Sequence, residues 1–205
     1  MQVVIRLIVA VIFGANFGAL TALWFGGMIS GGPSIGQAIN IENWESDWSI
    51  GSESANPYVR ARVARNGLLG LRKEEAVYFL KTVDESGEPL SEACTYRVSG
   101  GALPAGWWSI TLYDSDSRLP MNEDAHLSFD QTKALRSGNG DDADWSFQIS
   151  ANVPESGTAW VSSKAGGAFD LTLRLYQPEQ SLLDDPTTTL MPPTIERLSC
   201  ETGVS

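Results

Sequence analysis

Between Glu74 and Cys200 the chain repeatedly alternates apolar and polar residues with period two, the pattern of strands that bury one face. The clearest run is LPAGWWSITLYD (103–114). There Trp108, Ile110 and Leu112 share one side, and Trp107, Ser109, Thr111 and Tyr113 share the other. FDLTLRLY (169–176) sets Phe169, Leu171, Leu173 and Leu175 against Asp170, Thr172, Arg174 and Tyr176. CTYRV groups Cys94, Tyr96 and Val98, and WSFQIS turns Trp145, Phe147 and Ile149 inward. EEAVYFLKTV (74–83) is apolar on both faces, while TAWVS around Trp160 and HLSF from His126 are shorter candidates. Turns of Gly, Pro and Asp, such as DESGEP, separate these runs, and LMPPTIERLSC (190–200) reads as extended chain closing over the sheet. Many short strands, most with one polar face, predict a mainly β domain: an antiparallel sandwich or barrel.

Two segments break the pattern. From Val3 to Met28 the sole charge is Arg6, and the run is long enough to cross a ~30 Å hydrocarbon layer at 1.5 Å per residue. Arg6 lies on its N-terminal side and the first charges beyond it are Glu42, Glu45 and Asp47. The positive-inside rule then leaves the N-terminus in the cytoplasm and the domain outside. A cleaved signal peptide is the rival reading; the length of the run and the lack of a clear A-x-A site favour a retained anchor. Ala10, Gly14, Gly18, Ala22 and Gly26 recur every fourth residue, either as a face for close helix packing or by chance in a Gly/Ala-rich span. The expected organisation is an anchor over 1–28, a Gly/Ser/Asn-rich linker over 29–55 and a domain over 56–205. Trp44 and Trp48 interrupt that linker, and at least one of them is expected to pack on the domain.

The second exception is a short helix from Pro57 to about Leu69, capped by Asn56, with proline at its first position and Gly70 at its end. It carries Arg60, Arg62 and Arg65, with Arg72 and Lys73 beyond, a basic patch in an acidic chain. Such a patch either holds a phosphate, a carboxylate or a lipid headgroup, or pairs with the protein's own carboxylates and water.

Composition narrows the function. A net charge of −11 and a pI near 4.4 over 205 residues would repel a phosphate backbone, which argues against nucleic acid as a partner. One histidine, His126, removes most multi-histidine metal sites, and the two cysteines lack C-x-x-C spacing. There is no G-x-S-x-G elbow, no P-loop, no H-E-x-x-H and no S-x-x-K with its partners, and no cofactor or metal is expected. The aspartates Asp141, Asp142 and Asp144, and the pair Asp114 and Asp116, match no complete calcium loop and read as solvated turns. Trp107 and Trp108 must face opposite sides of one strand, so the one off the core, Trp107, can meet solvent, a ligand or a covering helix. Tyr113, Arg174 and Tyr176 share the non-core side, and His126 and Trp160 complete a list of candidate ligand-binding residues.

The runs NPYVRARVARNGLLGL, LPAGWWSITLYDSDSRLPMN and GGAFDLTLRLYQP, with PPTIERLSC and the Trp160 region, occur in an order that resembles the bacterial family called domain of unknown function 1214. The resemblance covers Trp44 to Cys200 and looks like a short, anchored form lacking the companion domain of unknown function 1254. It implies a jelly-roll-like sandwich in the envelope of a Gram-negative bacterium and no established reaction. The family often has an arginine shortly after the position of Asn122, where this chain has His126. It often has an Asn-Trp-Leu-Pro run where this chain has Ala159-Trp160-Val161-Ser162.

With the domain outside the cytoplasm, Cys94 and Cys200 are expected to form a disulfide rather than two buried thiols. The leading functional expectation is a non-catalytic, membrane-anchored envelope protein that binds a small ligand or a protein partner. The alternatives are an envelope hydrolase acting on a sugar or ester, and a structural protein oligomerising through its span.

Overall fold

The computed structural model describes residues 2–29, 36–52, 55–65, 71–136, 144–154 and 157–201. It divides into two compact units, one of residues 1–38 and 47–70 and one of residues 39–46 and 71–205.

The first unit holds α1 (Gln2–Phe25) and α2 (Pro57–Arg65). The 24 residues of α1, apolar apart from Gln2, Arg6, Asn16 and Thr21, are long enough to cross a membrane. A signal sequence would meet the same criteria. Asn56 caps α2 as expected, its Oδ1 accepting from the Tyr58 amide at 2.9 Å, with Pro57 in the first turn. The expected continuation of α2 through Leu69 lies outside the described residues.

The second unit is mainly β. Its elements are β1 (Ala38–Ile41, entered from the first unit), β2 (Trp44–Asp47), β3 (Ala76–Lys81), β4 (Cys94–Gly100), β5 (Ala105–Asp114), β6 (Ser128–Asp130), α3 (Gln131–Arg136), β7 (Trp145–Ser150), β8 (Trp160–Ser162), β9 (Phe169–Pro178), α4 (Gln180–Asp184), α5 (Pro186–Thr189) and β10 (Thr194–Cys200). One sheet runs β1-β2-β3-β9-β5-β6 and the other β10-β4-β7-β8. The period-two runs fall where expected, and the register explains why. Leu171, Leu173 and Leu175 of β9 pair with Lys81, Phe79 and Val77 of β3 and with Leu112, Ile110 and Trp108 of β5. A continuous apolar layer results, all three leucines having 0% exposure. Tyr96, Val98, Phe147, Ile149 and Ile195 face it from the second sheet. Aromatic pairs bridge the two layers: Trp108 stacks on Trp145 and Phe129 on Phe147, each at 4.5 Å between centroids.

Three expectations are corrected. Residues 38–47 of the expected linker form a hairpin, because Ile39 and Ile41 alternate around a turn in which Glu42 and Asn43 both take positive φ (50° and 65°). Trp44 of that hairpin is fully buried, and its indole donates to the Pro193 carbonyl at 2.8 Å. The C-terminal run does not lie over a sheet; it pairs edge-on with β4 as β10. Lastly, β8 pairs in parallel with β7, so the small sheet is mixed.

Two ion pairs, each with one buried member, surround the β3–β4 turn. Lys81, buried on the inner face, contacts Glu85 at 2.7 Å, and Glu85 Oε1 also accepts from the Ile195 amide at 2.8 Å. Asp84 and Arg197 lie 2.7 Å apart, tying the β3–β4 turn to β10. Burial works to raise the Asp84 pKa, but the Ser86 hydroxyl, the amides of Glu88 and Ser86 and the Arg197 guanidinium together hold it below the ordinary value. Farther along the same strand pair Cys94 and Cys200 sit opposite one another on β4 and β10 and form the expected disulfide, closing a loop with a sequence separation of 106. A Cys94→Ala/Cys200→Ala double variant is expected to lose up to about 5 kcal/mol of stability by the chain-entropy relation. Urea unfolding of the full chain in detergent checks this, and an unchanged midpoint would show that β10 is held by its pairing alone.

Candidate ligand-binding site

The six residues expected to bind a ligand separate into two surfaces. Trp107, Tyr113, Arg174 and Tyr176 lie together on the outer face of the large sheet. Trp107 pairs with Tyr176 across β5 and β9, their rings 5.3 Å apart. Trp107 is 38% exposed and Trp108 4%, the opposed facing that their adjacency predicts. The Arg174 guanidinium donates to Thr111 Oγ1 at 3.0 Å and to the Tyr113 hydroxyl at 2.5 Å, and lies 5.2 Å from the Tyr113 ring. Two of its five N–H donors are therefore used within the sheet. Next to Tyr113, Asp170 has its pKa raised to about 6, first by burial, with Asp114 adding repulsion, against the Thr172 hydroxyl and Arg174, which lower it. This face is a polar layer, partly bonded within itself, with an aromatic margin.

His126 and Trp160 form the other surface. Their rings are 5.3 Å apart at the mouth of an open groove of about 660 Å³, lined by Asp124, Phe129, Lys133, Val153, Pro154 and the 157–159 segment. The groove lies where the edge strand of each sheet meets the other, β6 against β8. Two hydrogen bonds hold that seam: the Ser162 amide to the His126 carbonyl at 2.6 Å, and the Ser162 hydroxyl to Asp124 Oδ2 at 2.7 Å. Phe129 forms the base and belongs to the aromatic core. Trp160 is fixed by its indole N–H, which donates to the Ser150 carbonyl at 3.0 Å. Lys133 reaches over the rim, Nζ donating to the Ser128 carbonyl at 2.5 Å, which leaves two of its three donors. The site thus offers an indole, an exposed imidazole, a carboxylate, an ammonium and the apolar walls Val153 and Pro154.

Among the described residues, the groove shows no serine paired with a histidine. Ser162 is buried and spends its proton on Asp124, and among the described residues no hydrogen bond reaches the His126 imidazole. The string Gly32-Pro33-Ser34-Ile35-Gly36 spells G-x-S-x-G. It follows helix α1 and precedes strand β1, however, the reverse of the strand-turn-helix order that an elbow requires. Residues 32–35 lie outside the described residues. Asp124 is the one carboxylate among the described lining residues, whereas carboxylate-catalysed glycoside cleavage needs two.

The remaining candidates are dispersed. Asp114 Oδ1 accepts from the amides of Asp116 and Arg118, the geometry of a turn. Asp141 and Asp142 lie outside the described residues, and among the described residues no cluster of three or more His, Cys, Asp or Glu could hold a metal. On α1, a side chain added at Gly14 or Gly18 would meet nothing within 4 Å, one at Gly26 would meet the Ala22 carbonyl at 3.1 Å, and Ala22 is exposed on the same helix. Arg60 is exposed on α2, Arg62 turns toward α1, and the side chain of Arg65 lies outside the described residues. Sequence reasoning missed Asp124, Lys133, Val153 and Pro154. Asn122-to-His126 showed only an acidic turn, and nothing in it announces a groove.

Residues 75–180, just over half of the chain, match the family described as "Protein of unknown function (DUF1214)". No curated protein matches. Among solved structures, the VPA0106 protein from Vibrio parahaemolyticus is similar with a TM-score of 0.53 at 22% identity, a likeness of fold. The match covers 71% of this chain and 36% of that one, so the chain spans about a third of that protein's length. A protein from Burkholderia cenocepacia aligns over 60% of this chain and 29% of its own, at 12% identity and a TM-score of 0.40.

The raised pKa of Asp170 carries a prediction. Below pH 4 the carboxyl is neutral both folded and unfolded. Between pH 4 and 6 the folded state keeps a proton that the unfolded state releases, so stability falls as pH rises and the loss is complete above pH 6. Asp170→Asn is expected to match the parent near pH 3.5 and to exceed it by about 1–2 kcal/mol at pH 7, screened from the full shift because the group is only partly buried. Thermal unfolding of both proteins across this range checks it.

Proposed function

We propose, starting from the fact that this chain belongs to the DUF1214 family, that it is a membrane-tethered envelope protein whose sandwich binds a small hydroxylated ring compound, such as a cell-envelope sugar. The observation carrying this reading is the groove of about 660 Å³ with the Trp160–His126 ring pair at its mouth. Its volume falls in the range of small-molecule sites, roughly 300–1,000 Å³. Its chemistry suits a sugar: an indole face for the apolar side of a pyranose, Asp124 to accept from hydroxyls, and Lys133 and His126 to donate. Binding without cleavage is favoured because the lining offers one carboxylate and no activated serine.

The tether and the location rest on α1 and on the disulfide. A largely apolar helix of 24 residues with its one charge, Arg6, near its N-terminal end suits a retained span with the N-terminus in the cytoplasm. The Cys94–Cys200 bridge suits an oxidising compartment on the far side of the membrane. In this reading α1 is the anchor and the sandwich projects into the periplasm.

Tryptophan fluorescence of the full chain in detergent, titrated with amino sugars and lipopolysaccharide core sugars, tests the proposal. A saturable change is expected with one class. His126→Ala and Trp160→Ala are expected to weaken it about tenfold each, the loss of one good aromatic contact. His126 is exposed and carries no hydrogen bond among the described residues, so its variant keeps the parental Tm. No saturable change with any sugar would overturn the reading.

A further inference from the structure

The first unit contains a second structured surface. Helix α2 is fixed against the end of α1: Arg62 Nε donates to the Phe25 carbonyl at 3.1 Å. That carbonyl is one of the last in α1, left without an intrahelical partner, and a cation there also meets the negative end of the helix dipole. The Tyr58 ring lies 5.6 Å from that of Phe25, which lies 5.3 Å from that of Trp24. The chain leaves α1 through Gly27 at φ 72°, where an added Cβ would come within 3.2–3.3 Å of the Arg62 side chain. So the junction has a bonded cation, an aromatic cluster and a close approach that a larger residue would obstruct.

If α1 spans the bilayer, as the proposed function holds, this junction fixes the depth of α2. The last turn of a 24-residue span emerges at the headgroup level, and Trp24 and Tyr58 are the residue types that settle there. The sequence of α2, PYVRARVAR, has three arginines and no acidic residue in a chain of net charge −11. Val59 is buried, Arg62 points to α1, and Arg60 is exposed. We infer that α2 is an interfacial collar that lies along the membrane surface and binds the phosphodiester headgroups of anionic phospholipids, with Arg60 reaching the lipid and Arg62 holding the helix at that depth. The charge complementarity is local: the acidic body of the chain is repelled by such a surface, so a cationic collar sets which part of it lies against the bilayer. Arginine suits the role because its fork matches phosphate oxygens and its stem can lie along apolar surface.

The test uses the full chain in nanodiscs of phosphatidylcholine alone or with one-third phosphatidylglycerol, and follows hydrogen exchange of the α2 amides. Exchange is expected to be severalfold slower in the anionic discs, and Arg60→Gln is expected to reduce that difference about fivefold, the contribution of one arginine near a charged surface. Inorganic phosphate added to the neutral discs is expected to give no protection. Equal exchange in both discs overturns the inference, as does full protection by inorganic phosphate alone, which would mark a free-anion site. Retention of the chain in the discs after alkaline carbonate washing reads the anchor separately: a chain that washes off removes the premise, whereas a retained chain with indifferent α2 exchange removes only the collar.

Discussion

The aromatic seam between the two sheets is the interaction on which the rest of the domain depends. Trp108 of β5 stacks on Trp145 of β7, and Phe129 of β6 stacks on Phe147 of β7. Phe129 is 6.0 Å from Trp108 and 5.9 Å from Trp145, so four rings from three strands form one cluster across the layers. β6 has three residues and would be a marginal edge on its own. Phe129 holds it in place, and the place it is held decides everything at that end. With β6 pinned to the core, the preceding loop brings Asp124 and His126 against β8, and the following helix brings Lys133 to the rim. The groove is thus a consequence of core packing.

Charge and covalent linkage fix the position of β10. Lys81 with Glu85 and Asp84 with Arg197 are ion pairs with one buried member each, Glu85 also accepting from the Ile195 amide, and the disulfide joins β10 to β4. Removing the partner of a buried charge is costly, so these pairs hold β10 firmly. The disulfide lies close to Val153 and Pro154, two walls of the groove, so the strand leading into those walls is anchored to the rest of the small sheet.

Much of the fold was legible because period-two alternation survives in β4, β5, β7 and β9, and β5 and β9 in particular could be assigned to faces residue by residue. The facing of Trp107 and Trp108 followed from their adjacency alone. The β1–β2 hairpin was hidden by its Gly/Ser/Asn-rich surroundings and by a turn that places Glu42, an unusual residue there, at positive φ. The parallel pairing of β8 was illegible because three residues carry no periodicity. The candidate site was half legible. Aromatic residues off the core could be named, but dividing them between two surfaces requires knowing that β5 lies beside β9 and that β6 abuts β8. His126 and Trp160 are far apart in sequence and meet only through that topology.

The most direct test of the groove as the binding site is a hydrogen-exchange map of the full chain with and without a bound envelope sugar. The account predicts slowed exchange confined to 124–134 and 157–163, the loop, short helix and edge strand around Trp160 and His126. Protection appearing instead on β5 and β9 would place the ligand on the outer face with Trp107 and Arg174, and would contradict it.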